Sequence, residues 1–182
     1  MSENVYHLKP TPFKGSQLLP LSILEQKYPA LAINEQDKYK DRKELQTKEI
    51  PLLKANWSEV LFLSCLNPTL IFIALELLGL LDLRNIPEIL AFPIQTLKKQ
   101  PSCLYQEDEQ GKETFKAFKL NDYKEVTAPP NATLQYFLQC VKTGEKPLLF
   151  FGVPHVLLKG SLPISEAKTI QYQPITSGTN RD

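Results

Sequence analysis

Apolar residues recur along this chain in short alternating bursts, each cut off within a few positions by proline, glycine or a cluster of charge. Such spacing predicts short strands joined by turns, with helices only where the apolar period lengthens to three or four. Residues 5–9 alternate as a strand, and the segment 10–16, Pro-Thr-Pro-Phe-Lys-Gly-Ser, must be a loop because two prolines and a glycine exclude regular structure. Ser22 is placed as the N-cap of a short helix over 23–28, and Pro29 opens a second that runs on through the charged stretch 34–48. There Lys40 with Glu44, and Glu44 with Lys48, fall four residues apart and predict a solvated helix face.

The longest apolar run, residues 60–83, has the length to span a bilayer, but Asn67-Pro68 within it is an N-cap followed by a first-turn proline. The run therefore divides into a buried strand over 59–64 and a buried helix over 68–81, each too short to cross. Glu76 inside the run, and the lack of basic residues just before it, also argue against a span. Gly79 falls within the predicted helix as a weak point of roughly 1 kcal/mol against alanine.

Further along, residues 88–92 read as a strand, 94–99 as a short helix, and 102–120 as a hairpin turning at Asp108-Glu109-Gln110-Gly111. Pro129-Pro130-Asn131 opens a helix in which Leu134, Phe137, Leu138 and Val141 form the inward face, closed by Thr143-Gly144. Residues 147–151 suit a central strand, 156–158 and 168–172 continue the strand content, and the polar tail 173–182 is expected to be mobile. This irregular succession, hairpin included, suits an α+β fold better than a doubly wound sheet. The expectation is a single domain over 1–172 with a mixed or mainly antiparallel sheet, a buried helix and a charged surface helix.

Composition narrows the function classes. A chain of 182 residues supports one core, burying roughly 70% of its unfolded surface. Lysine and arginine total 21 against 20 acidic residues, intermixed along the chain, so the basic stripe that duplex DNA or RNA requires is absent. Cys65, Cys103 and Cys140 lie far apart with no histidine at ligand spacing; they read as reduced core thiols, and no metal is expected. The first twenty residues hold no apolar run of signal-peptide length, which points to the cytoplasm and makes the sequons at Asn56 and Asn131 coincidental. Neither a Walker loop nor a GxGxxG is present.

The two histidines carry the clearest chemistry. His7 and His155 each sit in a short apolar segment with proline, followed at Lys9 and Lys159 by a lysine, and such a pair can frame a pocket for an anionic ligand. His7 is a candidate for bonding a ribose or phosphate, with Lys9 and Lys14 supplying charge; the plainer alternative is a half-buried strand histidine held by a backbone carbonyl. Tyr6 and His7 point to opposite faces of one strand, so one of them at most enters a cleft. His155 is either a proton carrier or a sheet-edge residue, since Pro154 removes a ladder donor. Ser64-Cys65 lies where a strand hands over to a helix N-terminus, a place that favours an anion or a thiolate, although the glycines of a nucleophile elbow are missing. Arg42, with Tyr39 and Trp57, offers a guanidinium and aromatic surface for a nucleotide.

Taken in order, Tyr6-His7-Leu8, the strand 60–64 running into a helix, and the segment 159–165 before the strand 168–172 resemble the motif order of the ADP-ribosyltransferase-like fold. The resemblance implies a split mixed sheet whose cleft takes NAD, with His7 touching the nicotinamide-side ribose and Ser64 lining the nicotinamide pocket. On that reading the chain is an ADP-ribosyltransferase-like glycosyltransferase with His7, Ser64 and His155 at the reacting centre and Tyr6, Lys9, Lys14, Arg42 and Lys159 around the cofactor. The sequence departs from the family where Phe62 or Leu63 replaces the usual tyrosine of the second motif. It also departs in the catalytic glutamate, for which only Glu145 and Glu166 are candidates. The alternative is a non-enzymatic interaction module that docks a protein partner through Phe13, Tyr39 and Trp57.

Overall fold

The computed structural model describes residues 3–36, 43–108 and 110–175. Along the chain run β1 (Asn4–Leu8), β2 (Gln17–Leu18), α1 (Leu21–Lys27), α2 (Pro29–Gln36), β3 (Glu49–Ile50), β4 (Ala55–Asn56), β5 (Leu61–Ser64) and α3 (Pro68–Leu77). These are followed by β6 (Ile89–Pro93), β7 (Ser102–Glu107), β8 (Glu113–Ala117), α4 (Asn131–Thr143), β9 (His155–Leu158), β10 (Leu162–Pro163) and β11 (Lys168–Ile170). Seven of the strands form one antiparallel sheet in the order β11-β6-β1-β5-β9-β7-β8, and the pairs β10-β2 and β3-β4 stand apart from it. The architecture is α+β, as the irregular element order predicts.

Cross-strand partners share a face, so the register places Tyr6, Ser64, His155 and Tyr105 in one row across β1, β5, β9 and β7. The other face carries Val5, Leu61, Leu63, Leu90, Phe92, Val156 and Leu158, buried with Leu18, Leu97 and Leu162 from the flanking loops. On the Tyr105 side the β3–β4 hairpin covers Cys103 and Leu157 with Ile50, Leu53 and Ala55. On the Tyr6 side Phe72 of α3 packs on Tyr6, Ile89 and Ala91, and the far side of α3 meets α4 through Ile71, Leu75 and Phe137. Among the described residues no helix is long and apolar enough to cross a membrane.

The apolar run is a strand and a helix, with the Asn67 side chain accepting from the Thr69 amide at 3.0 Å and Pro68 in the first turn. Glu76 sits in this run because it has partners: its carboxylate accepts the Tyr172 hydroxyl at 2.6 Å and the Ile175 amide at 3.1 Å. Desolvation, followed by this bond, pushes the Tyr172 hydroxyl up to about 12, so it stays protonated and donates.

Several expected elements differ, each for a local reason. The helix opened by Pro29 is described to Gln36, and residues 43–47 form a 3₁₀ turn; Lys48 pairs with Glu113 at 2.5 Å instead of with Glu44. Tyr39, Lys40 and Arg42 lie outside the described residues, as do 176–182 of the tail. Residues 147–151 form turns and not a strand. Tyr136 accepts the Leu148 amide at 3.0 Å, Thr133 donates to the Phe151 carbonyl at 2.7 Å, and Phe151 stacks on Tyr136 at 4.2 Å, so side chains of α4 take the groups a ladder would use. The inward line of α4 is Thr133, Phe137 and Cys140, which leaves Leu138 and Val141 exposed. His155 is not at an edge either: Pro154 precedes β9, which is paired on both sides.

Gly79 lies just past α3, not within it. With φ at +70° it reverses the chain so that its amide bonds the Glu76 carbonyl at 3.0 Å and the Leu80 amide bonds Leu75 at 2.8 Å, a Schellman closure. An added Cβ there meets nothing within 4 Å, so only the backbone conformation resists substitution. Gly79→Ala should therefore cost about 1 kcal/mol, lowering the thermal midpoint by roughly 2–4 °C in a scanning calorimeter. An unchanged midpoint would mean that the left-handed turn does not close the helix in solution.

Candidate functional site

The sheet opens in its middle. β1 pairs with β6 along its whole length, from Asn4 opposite Pro93 to Leu8 opposite Ile89, but it meets β5 only at Tyr6 and Ser64. Beyond that pair the strands diverge, and the gap continues into a cleft with about 810 Å³ of atom-free space, its open mouth included. His7 from β1 and Leu61 and Phe62 from β5 lie along the parting, the loop with Phe13 and Lys14 forms one wall, and Leu24, Leu31 and Glu35 of α1 and α2 form another. Trp57, from the turn before β5, closes one side with its ring 4.7 Å from that of Phe62.

Hydrogen-bond alternation explains why this parting is polar. The Lys9 amide donates to the Glu88 carbonyl at 2.8 Å, so Val5, His7 and Lys9 direct their peptide groups to β6 while Asn4, Tyr6 and Leu8 direct theirs to the β5 side. Leu8 therefore faces the gap where a ladder partner would stand, and its carbonyl accepts the Nδ1–H of His7 at 2.6 Å. The plain reading of His7, a half-buried strand histidine on a backbone carbonyl, describes its bond, and the cleft describes its place. A neutral ring in that tautomer carries its lone pair on Nε2.

The other sequence candidates disperse. Tyr6 packs with Phe72 away from the cleft and donates its hydroxyl to Glu125; burial, then that carboxylate, raises its pKa. Lys9 is held by Glu88 at 2.5 Å. Ser64 is 1% exposed, accepting from the Leu66 amide at 3.1 Å and donating to the Leu66 carbonyl at 2.8 Å, so its hydroxyl shapes the turn into α3. Burial pushes the neighbouring Cys65 thiol up to about 12, which removes the thiolate a nucleophile needs. Lys159 reaches the carbonyls of Leu53 and Lys54 at 3.4 and 3.0 Å. Arg42 lies outside the described residues, and neither Glu145 nor Glu166 lines the cleft.

His155 stands one layer behind the cleft wall. Its Nδ1–H donates to the Val153 carbonyl at 2.8 Å, and its ring meets Phe150 and Phe62 edge-on at 5.6 and 6.3 Å. Burial holds its pKa down at about 4, against the opposing pull of the Val153 bond, and the charge of His7 lowers it further. The cleft itself gathers His7, Lys14 and a carboxylate the sequence reading passed over, Glu35. Glu35 carries no motif; it belongs to the charged stretch, and only the packing of α2 over the parting sets it apart. Among the described residues no group of three His, Cys, Asp or Glu side chains is placed to hold a metal ion.

No family model and no curated protein matches the sequence. A solved structure of Thermosipho africanus DarTG in complex with ADP-ribose is similar to this chain at a TM-score of 0.42 and 10% identity, over 91% of this chain and 43% of that one. The chain thus spans less than half the length of that structure.

The state of His155 has a measurable consequence. Because its native pKa near 4 lies below the 6.5 of a free imidazole, the unfolded chain takes up a proton that the native one refuses. Its contribution is complete above about pH 6.5 and is lost as the pH falls from there toward 4. Urea unfolding at pH 7 and pH 5 should show about 2 kcal/mol less stability at pH 5 from this group. His155→Asn, which keeps an N–H at the Nδ1 position for Val153, should remove that part of the loss; an equal fall in both proteins would show that other groups drive it.

Proposed function

We propose that the parting between β1 and β5 binds NAD or a closely related nucleotide in the manner of an ADP-ribosyltransferase-like cleft. The observation that carries this reading is the single Tyr6–Ser64 pair, which opens a sheet in its interior and leaves a concave space walled by aromatic and polar groups together. Trp57, Phe62 and Phe13 provide flat apolar surface for a base or a nicotinamide ring, and His7 and Gln17 provide polar atoms for a ribose. Glycosyl transfer from NAD would break the bond between the ribose C1′ and the nicotinamide nitrogen. The electron pair would leave with nicotinamide while an acceptor nucleophile bonds C1′ and gives its proton to a base. Glu35 is the carboxylate among the described cleft-lining residues, and it would take the part for which Glu145 and Glu166 are out of place.

The docking alternative needs Phe13 and Trp57 as outward anchors, and both line the concave cleft. That placement favours a small ligand over a protein partner at this site.

The test is thermal unfolding of the purified chain with and without millimolar NAD. At about 100 times its dissociation constant a ligand adds roughly 2.7 kcal/mol, which raises the midpoint by several degrees. His7→Ala should cancel most of the rise without lowering the midpoint of the free protein by more than a degree or two. A folded protein whose midpoint ignores both NAD and ADP-ribose would sink the reading.

A further inference from the structure

Beside the main cleft, and joined to it through Lys14, Gln17 and Leu19, lies a second small hollow completed by Gly15, Ser16, Lys27 and Tyr28. Among the described residues its lining holds two ammonium groups and the hydroxyls of Ser16 and Tyr28, and no carboxylate. Neither lysine is in an ion pair among the described residues, in contrast to Lys9 and Lys48.

The hollow is built from pieces that are already held in place. The Lys14 ammonium lies over the Tyr28 ring, 5.4 Å from its centroid. Gly15, at φ +88°, lets the loop close on Tyr28, whose hydroxyl oxygen stands 3.1 Å from where a Cβ would be. The far end of the loop is fixed by the Ile164 amide, which donates to the Ser16 carbonyl at 3.0 Å, and by Gln17 and Leu18 pairing with β10. Two point charges set around a hollow with no competing anion among the described residues suit a phosphate group.

We propose that this hollow is the phosphate subsite of the cleft, so that the ligand is recognised at once by its aromatic ring in the parting and by a phosphate or pyrophosphate between Lys14 and Lys27. The assignment rests on the cleft being a ligand site. It adds a requirement for phosphate that a nucleoside alone would not meet.

Calorimetric titration separates the two statements. Wild type, the double variant Lys14→Ala/Lys27→Ala and the single variant Lys27→Ala are titrated with NAD, nicotinamide riboside and inorganic pyrophosphate at low salt, with Lys98→Ala/Lys99→Ala as a charge-matched control. Both lysines of the hollow are exposed, and equal thermal midpoints verify that the variants are folded. The expected result is a loss of tenfold or more for NAD and of all measurable pyrophosphate binding in the first variant. Riboside affinity should be unchanged in the single variant Lys27→Ala, at a position that lines the hollow and not the cleft, while NAD affinity falls there too, and the control should be unaffected on all three ligands. An equal loss for NAD and riboside in Lys27→Ala, an equal loss in the control, or no loss at all would overturn the subsite. Should NAD fail to bind wild type, the cleft reading falls, and pyrophosphate alone decides the hollow: saturable binding abolished by Lys27→Ala upholds it, and its absence refutes it.

Discussion

One carboxylate holds the closed end of the parted sheet. The backbone of β1 directs the peptide groups of Asn4 and Tyr6 toward β5, yet β5 answers only at Ser64. Glu125 supplies what is missing: its carboxylate accepts the Asn4 amide at 3.0 Å and the Tyr6 hydroxyl, while the Tyr123 hydroxyl donates to the Asn4 carbonyl at 2.7 Å. The next residue, Val126, donates its amide to Cys65 at 2.8 Å and lies parallel to Leu66 just beyond β5. The segment 123–126 is thus a strap across both strands. Without it a half-buried amide would lose its partner, at a cost on the order of 1–3 kcal/mol, and β1 would gain by closing on β5. The same strap fixes the direction in which the sheet opens, and everything that lines the cleft follows from that direction.

Much of this frame was legible in the chain because it is written in local chemistry. Asn67-Pro68 marks a helix start whatever surrounds it, Gly144 marks a helix end, and the alternation around Tyr105 and Phe115 marks a hairpin. The failures lie where tertiary partners compete with pattern. Residues 147–151 are apolar enough for a strand, but Thr133 and Tyr136 claim their backbone from a helix that the sequence gives no reason to place beside them. Leu138 and Val141 have helical spacing, yet Thr133 and Cys140 set the buried line, since a threonine bonded to a carbonyl costs the core little. Pro154 suggested an edge, and its carbonyl in fact accepts the Cys65 amide at 2.9 Å within the sheet.

The site was legible only in part. A histidine followed by Lys9 and Lys14, in a strand leading to a rigid loop, was enough to single out His7 and Lys14 as candidates, and both line the cleft. Spacing does not show which strand β1 will leave, so Ser64 and His155, which share its row across the sheet, could not be told from groups inside the parting. Ser64 proved to be turn chemistry and His155 a neutral ring behind Phe62. Glu35, Ser16 and Lys27 had no pattern at all; their relation to His7 exists only once α1 and α2 fold over the opening.

The strand order has a further consequence, for how the chain comes together. β1 and β6 make one plate from the first half of the sequence, but β5 is seated chiefly by β9, Leu61 against Leu158 and Ser64 against His155. Pairs so distant in sequence carry a high closure entropy and form late. While β9 is still being made, β5 has only its single pair with β1, and Leu61, Leu63 and Phe62 are unshielded strand residues of the kind that chaperones hold. Every described residue lining the cavity falls between His7 and Phe62, yet the strand that carries Leu61 and Phe62 is seated only when β9 pairs with it, so an early stretch of chain takes its final shape from a late one.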